Sequence, residues 1–170
     1  MAIITLNNNS LVNADVGKVL QVVQGTSSTD FIQASPTSGT IYYPSSNKLS
    51  ASITPSSTSS KIVIQFVSTI RSDHGQNTDF AIALAVKEII SGGTTTEIKA
   101  QTNAYGSGFY VSNTGSGSGH RIRPTEIVFR TPSTTSEITY EVGVFTYSGV
   151  SIRLNADSSR GEIILMEVAG

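Results

Sequence analysis

The side chains able to bind a metal are few and scattered along the sequence. Both histidines, His74 and His120, stand beside charged residues in polar stretches, and no H-x-H or H-E-x-x-H spacing places two imidazoles on one face. Asp73, His74 and Asp79 are close enough in sequence to form a weak metal site, although a solvated loop is the simpler interpretation. We therefore predict no metal and no cofactor.

Nucleophilic and acid–base catalysis are also poorly supported. Serine is abundant, but no G-x-S-x-G turn presents one serine as a nucleophile. Glu126, Glu141 and Asp157 can serve as a glycosidase pair only if the fold brings two of them together, and carboxylates of this kind usually lie on a sheet surface. We predict that the chain is not an enzyme.

Aromatic side chains near loops and strand ends are better candidates for binding than for catalysis. Tyr105, Phe109 and Tyr110 cluster in one short region, and such rings often contact carbohydrate or protein. We predict these three as contacts to a ligand or partner. The alternative is that they only cover the ends of the fold.

The composition predicts an all-β fold. The 170 residues are enough for one domain, and only 14% are charged, against roughly 25% in an ordinary soluble domain. Serine and threonine together number 46, with 15 glycines, which favours strands and turns over helices. The net charge of −1 argues against nucleic-acid binding, no apolar run is long enough to span a membrane, and no cysteine is available for a disulfide.

The stretch at residues 50–70 predicts two strands joined by a turn. Ala51 and Ile53 alternate with polar residues, and Pro55 stops the strand because it has no backbone N–H. A run of serine and threonine follows, and then an apolar strand that we place in the middle of a sheet. The Thr-Pro-Ser pattern recurs at residues 131–136, which suggests two hairpins forming the two halves of a β-sandwich, or else only common turn chemistry.

Alternation in side-chain size predicts a strand at residues 80–89. Large residues alternate there with Ala81, Ala83 and Ala85, so the small face should lie against something flat, such as a neighbouring subunit. We further predict a polar loop at residues 71–77. Residues 121–130 should form one strand, interrupted or bent at Pro124.

The closing strand, residues 161–168, is apolar on both faces. Ile163 and Leu165 point one way, and Ile164, Met166 and Val168 point the other. Because one face of a two-layer sandwich is core, the other must be covered by something else. We predict that Ile164, Met166 and Val168 lie in a subunit interface, most simply around a threefold axis. The alternative is cover by loops of the same chain.

Four segments resemble a family of small virion proteins of tailed bacteriophages, especially those of marine and cyanobacterial hosts, which are usually labelled tail-fibre-like or structural. They are residues 17–24 (GKVLQVVQ), 49–62 (LSASITPSSTSSKI), 139–142 (TYEV) and 163–168 (IILMEV). The resemblance covers residues 16–168, except that the middle of the chain follows no family pattern.

The resemblance implies a single jelly-roll-like antiparallel β-sandwich at residues 16–170, assembled as a homotrimer, with residues 1–15 as an N-terminal arm for attachment. It supplies no catalytic residues. It implies a virion protein assembled in the host cytoplasm, with itself and other capsid or tail proteins as partners. A fibre or spike subunit would touch a host surface glycan, whereas a capsid decoration protein would stabilise the head at threefold positions. A carbohydrate-binding module is the third possibility.

Overall fold

A computed structural model describes residues 17–73, 79–99, 109–111, 120–147 and 149–170. In these ranges the chain forms fourteen β-strands, and their hydrogen-bonded pairings are antiparallel. The first seven strands are β1 (Val19–Ser27), β2 (Phe31–Gln33), β3 (Thr40–Tyr42), β4 (Ser50–Ile53), β5 (Lys61–Val67), β6 (Ile70–Asp73) and β7 (Phe80–Ile90). The others are β8 (Thr95–Lys99), β9 (Phe109–Val111), β10 (His120–Ile122), β11 (Thr125–Arg130), β12 (Ile138–Tyr147), β13 (Ser151–Leu154) and β14 (Gly161–Val168).

Two of the three sheets form a jelly roll. The first sheet has the order β1-β14-β5-β11. In the second sheet β3 and β4 pair with one edge of β12, β7 pairs with its other edge, and β8 and β9 follow on β7. The strands of these two sheets fill eight positions in chain order, when β3 with β4 and β8 with β9 each count as one and the strands of the third sheet are left out. The first sheet then holds positions 1, 8, 3 and 6, and the second sheet holds positions 2, 7, 4 and 5. This is the double Greek-key order of a jelly roll, so the predicted all-β fold is confirmed.

The core lies between the inner faces of these two sheets. Every second residue of β5, β7, β12 and β14 points inward and is buried, as the strand period of two requires. The largest contributions come from Ile62, Ile64, Phe66, Phe80, Ile82, Leu84, Ile138, Tyr140, Ile163 and Leu165. As predicted, β4 ends before Pro55 and β5 occupies an inner position of the first sheet; β14 occupies the other inner position.

The two Thr-Pro-Ser turns are not hairpins, and that prediction was wrong. Strand β4 pairs with β12 rather than with β5, and β11 pairs with β5 rather than with β12. Each turn therefore carries the chain from one sheet of the sandwich to the other. The proline stops the outgoing strand, and the hydroxyl residues cover the corner.

A third, smaller sheet has the order β10-β6-β13-β2 and corrects two further predictions. The predicted loop at 71–77 begins inside strand β6, which pairs with β10 and β13. The predicted interruption at Pro124 is confirmed, since this residue has no N–H for a continuous ladder, but the two parts are separate strands, β10 and β11, in different sheets.

Several sequence predictions fall outside the described residues. These are the proposed arm at 1–15, His74 and Tyr105. Among the residues that are described, no helix is long and apolar enough to cross a membrane.

Candidate assembly surface

The outer face of the first sheet carries a continuous band of exposed and half-buried apolar side chains. The strand register places one residue from each strand side by side: Val22 on β1, Met166 on β14, Val63 on β5 and Phe129 on β11. The next row across the sheet consists of Gln24, Ile164, Gln65 and Ile127. We call the six apolar members of these rows the apolar face: Val22, Val63, Ile127, Phe129, Ile164 and Met166.

The edges of the apolar face are the most exposed part of it. Val22 is 59% exposed, Ile127 is 55% exposed and Phe129 is 72% exposed. Single apolar residues are common on protein surfaces, but a continuous patch across four strands is typical of an interaction site. Among the described residues the charged side chains of this face lie at its two ends, Lys61 at one and Glu162 at the other.

The predicted interface residues of the closing strand belong to this surface. Ile164 and Met166 lie in its centre and Val168 at one end, and all three are half-buried in the single chain. Sequence reasoning missed Ile127 and Phe129, whose signal was the alternation of exposed and inward residues along β11.

The outer face of the second sheet is different, because the chain covers it by itself. Ala81, Ala83 and Ala85 point outward on β7, yet all three are fully buried in the single chain, as is Phe145 beside Ala83 on β12. These alanines were predicted as part of a subunit interface. They expose no surface to a partner, so the assembly surface proposed below does not include them.

Close packing beneath Tyr43 helps the chain to cover the outer face of its second sheet. A β-carbon added at Gly143 on β12 would lie 2.6 Å from the Tyr43 ring and 2.8 Å from the Tyr42 carbonyl oxygen. The Nζ atom of Lys87 lies 4.0 Å from the centre of the same ring. The missing side chain at Gly143 thus allows an aromatic ring to lie flat on the sheet.

A buried carboxylate holds the first sheet together from its inner side. Glu167 on β14 accepts hydrogen bonds from the Ser56 N–H (2.7 Å), from the Ser56 and Ser60 hydroxyls (2.6 Å each) and from Gln21 Nε2 (2.6 Å). Burial by itself would raise the pKa of Glu167, but these hydrogen bonds outweigh it and lower the pKa to about 2. Glu167 therefore fixes the first Thr-Pro-Ser turn and β1 to the strand that carries Met166.

Two other buried glutamates are neutralised by cations. Glu88 accepts two hydrogen bonds from Arg130 (2.8 and 3.2 Å) and one from the Tyr140 hydroxyl (2.9 Å). Burial, followed by the charge of Glu88, raises the pKa of Tyr140 well above its usual value. Glu88, the first of these two glutamates, is therefore occupied in structural contacts.

The second of these glutamates is Glu141, which pairs with Lys48 (3.0 Å) and Lys87 (3.3 Å). Glu141 lies on the second sheet, Glu126 lies on the first, and Asp157 pairs with arginines of the third. Glu126 and Glu141 therefore lie on different sheets, and Asp157 lies in the loop after β13.

The remaining candidates for chemistry have structural contacts. The ring of His120 lies 5.2 Å from that of Phe80 and 6.1 Å from that of Phe109, between centroids. Tyr110 donates a hydrogen bond to Asp79 (3.1 Å) from strand β9. In the described part of the chain, no group of three histidine, aspartate or glutamate side chains is placed to hold a metal ion.

Comparison with known proteins gives a weak structural likeness. No protein-family model and no curated protein sequence matches the chain. Among solved structures it is similar to that of infectious bursal disease virus Gt strain, with 13% identity, 91% of this chain and 39% of that chain covered, and a TM-score of 0.43. The VP2 subviral particle of the same virus gives 13% identity, coverage of 88% and 38%, and a TM-score of 0.40. The chain spans about two fifths of these proteins, and it is the strand order described above, not this likeness, that establishes the fold.

Proposed function

We propose that this chain is a structural subunit of a bacteriophage virion, a surface-exposed fibre or spike-type protein that assembles as a homotrimer through the apolar face. The family resemblance of residues 17–24, 49–62 and 163–168 supports the virion role. The jelly-roll order supports a protein of the kind found in viral shells, although lectin domains share it. The apolar face is the observation that carries the proposal, because it leaves Phe129 and Val22 in water unless the protein assembles.

A second copy of the same chain is the occupant that fits this face best. Four strands about 4.8 Å apart, with about eight residues of roughly 3.4 Å each, give a face of about 500 Å². Three copies that each buried this whole face around a threefold axis would bury about 1,500 Å² in total, about 500 Å² from each chain. The polar residues inside the band are two glutamines, Gln24 and Gln65, which can form hydrogen bonds to the same residues of another copy.

The proposal also names the surroundings of the trimer. Its partners are other virion proteins of the capsid or tail, and a fibre-type subunit presents its remaining surface to a host surface glycan. Phe109 and Tyr110 stay predicted contacts for such a partner. In the structure both are half-buried on β9, where Phe109 packs against the core and Tyr110 donates a hydrogen bond to Asp79.

The oligomeric state tests the proposal directly. We expect the wild-type protein to be a trimer by light scattering after size-exclusion chromatography, and the Phe129→Glu variant to be a monomer, since a charge would be buried at the interface. Ile32→Glu is the matched control: Ile32 is 49% exposed but lies on the third sheet. A monomeric wild-type protein, or a Phe129→Glu trimer, would overturn the assembly.

Microscopy of intact particles tests the position in the virion. Gold-labelled antibody should bind at the tail if the chain is a fibre or spike subunit. Label on the head would instead identify a capsid decoration protein at threefold positions. A protein absent from particles that binds a glycan as a monomer would be a carbohydrate-binding module, and the virion proposal would be wrong.

A further inference from the structure

Three arginines lie side by side on one face of the third sheet. The register places Arg121 of β10 directly opposite Arg71 of β6, and Arg71 directly opposite Arg153 of β13. Like charges at directly opposite positions of neighbouring strands repel one another. A row of three guanidinium groups therefore needs an anion to hold it in place.

Asp157 supplies that anion from the loop after β13. Its carboxylate lies 3.3 Å from Arg71 Nη1 and 3.6 Å from Arg153 Nη1, and it also forms an ion pair with Arg121. Asp30 is the second acid, 3.1 Å from Arg153 Nη1, and it accepts the backbone N–H of Asp157 at 3.2 Å. One aspartate side chain thus occupies the position where three guanidinium groups converge.

The backbone that presents Asp157 adopts a conformation rare for residues with side chains. Asn155, Asp157 and Ser158 have φ angles of 53°, 57° and 56°, in the left-handed region. The start of this loop is fixed, because Asn155 is buried and exchanges two hydrogen bonds with Ser68 (2.8 and 3.1 Å). The strained part is the tip, where Asp157 is 36% exposed.

Positive charge is concentrated around this row. Five of the six arginines of the chain lie on the third sheet or beside its loops: Arg71, Arg121, Arg123, Arg153 and Arg160. Arg123 donates to the carbonyl oxygen of Arg160 (2.8 Å), which places these two together at the end of the Asp157 loop. Ile32, directly opposite Arg153, adds an exposed apolar side chain beside the row.

We propose that Arg71, Arg121 and Arg153 form a binding site for the carboxylate groups of an acidic polysaccharide, and that Asp157 is a built-in occupant that a sugar carboxylate displaces. The planar guanidinium fork fits a carboxylate through paired hydrogen bonds, and a carboxylate is what these groups hold in the structure. Arg121 is 54% exposed, so a ligand approaches from solvent on its side. The site rests on the proposed function only for the source of the polysaccharide, a host surface, and needs no assembly.

Calorimetric titration of the full chain with polygalacturonate, at low salt, tests the site, with neutral dextran as the uncharged polymer. Arg121→Gln should weaken binding about tenfold through loss of one charge-assisted contact. Asp157→Asn should strengthen binding severalfold, because the competing carboxylate is gone. A purely structural ion-pair cluster predicts no binding in either variant.

Two control variants make the same changes of charge away from the row. Arg160 and Glu162 pair with each other at 3.0 Å, and neither pairs with Asp157 in the described contacts. Arg160→Gln and Glu162→Gln should each change the affinity less than twofold. If Glu162→Gln raised the affinity as much as Asp157→Asn did, the change in net charge alone would explain the effect, and the proposal would be overturned.

Three further results decide the matter. If neither the wild-type protein nor the Asp157→Asn variant binds polygalacturonate, and circular dichroism shows that the variant is folded, the site is overturned. If Asp157→Asn unfolds, the loss of affinity in Arg121→Gln decides. Equal affinity for oligothymidylate identifies a general phosphate site and also overturns it. Binding that persists in the Phe129→Glu variant supports the site. Because we expect this variant to be a monomer, the measurement also distinguishes failure of the binding site from failure of the assembly proposal.

Discussion

The outer faces of the two jelly-roll sheets are built from similar apolar sequences and end in opposite states. On the second sheet, Ala81, Ala83 and Phe145 are completely buried by the chain itself. On the first sheet, Phe129 is exposed and Met166 only half-buried. An apolar outer face can therefore be buried by the same chain or left partly exposed, and the register and the neighbouring segments determine which of the two occurs.

A matched pair of phenylalanines tests this difference with the largest expected effect. Phe145→Ala should lower the free energy of unfolding by about 3–5 kcal/mol, as for other buried rings. Phe129→Ala should lower it by less than about 0.5 kcal/mol, because the ring is already in water. Urea denaturation in dilute solution, where assembly does not contribute, measures both. Similar losses for the two variants would contradict the contrast.

Gly143→Ala also tests the burial of the outer face of the second sheet by the same chain, with a smaller expected loss of stability. The added β-carbon must displace the Tyr43 ring or the Tyr42 backbone, both within 3 Å of it. We expect a loss of about 1–3 kcal/mol in the free energy of unfolding, as in other overpacked sites. The control is Val22→Ala on the apolar face, which should lower the free energy of unfolding by less. Gly92→Ala would be a poor control, because Gly92 has a positive φ angle.

Glu167 gives a smaller, pH-dependent effect on the first sheet. Its pKa of about 2 in the folded protein lies below the value of 4.5 for an ordinary glutamate. Its contribution to stability is therefore present above pH 4.5 and is lost as the pH falls towards 2. We expect a contribution of about 1–2 kcal/mol, as for hydrogen bonds to other charged groups.

The Glu167→Gln variant isolates that contribution. Thermal or urea unfolding between pH 6 and pH 2 should show wild-type and variant stabilities converging as the pH falls. Glu162→Gln, on the same strand and in an exposed ion pair, should leave the wild-type pH profile unchanged. A constant difference between Glu167→Gln and wild type across this range would refute the hydrogen-bond account.

Much of the fold followed from local sequence signals. Pro55 ended its strand, the alternation at residues 80–89 outweighed the helix preference of alanine, and residues 61–67 formed an inner strand. These predictions succeeded because strand period and proline chemistry act within a few residues. The hairpins failed because pairing partners are set by long-range topology, which a Thr-Pro-Ser turn does not specify.

The candidate surfaces were less predictable than the strands. Met166 was identified from its own strand, but Phe129 became part of the same surface only through the β11–β5–β14 register. Arg71, Arg121 and Arg153 are far apart in sequence and looked like ordinary polar residues. No local pattern marks the left-handed backbone at Asp157, which depends on contacts with Asp30 and the arginines.

The position of β14 between β1 and β5 has a consequence for the rate of folding. The first and last described strands are hydrogen-bonded neighbours, so a long loop must close before their pairing gives any stabilisation. Folding dominated by such distant pairings takes milliseconds to seconds. During that interval β1 and β5 present unpaired edges, to which a strand from another chain can bind in place of β14.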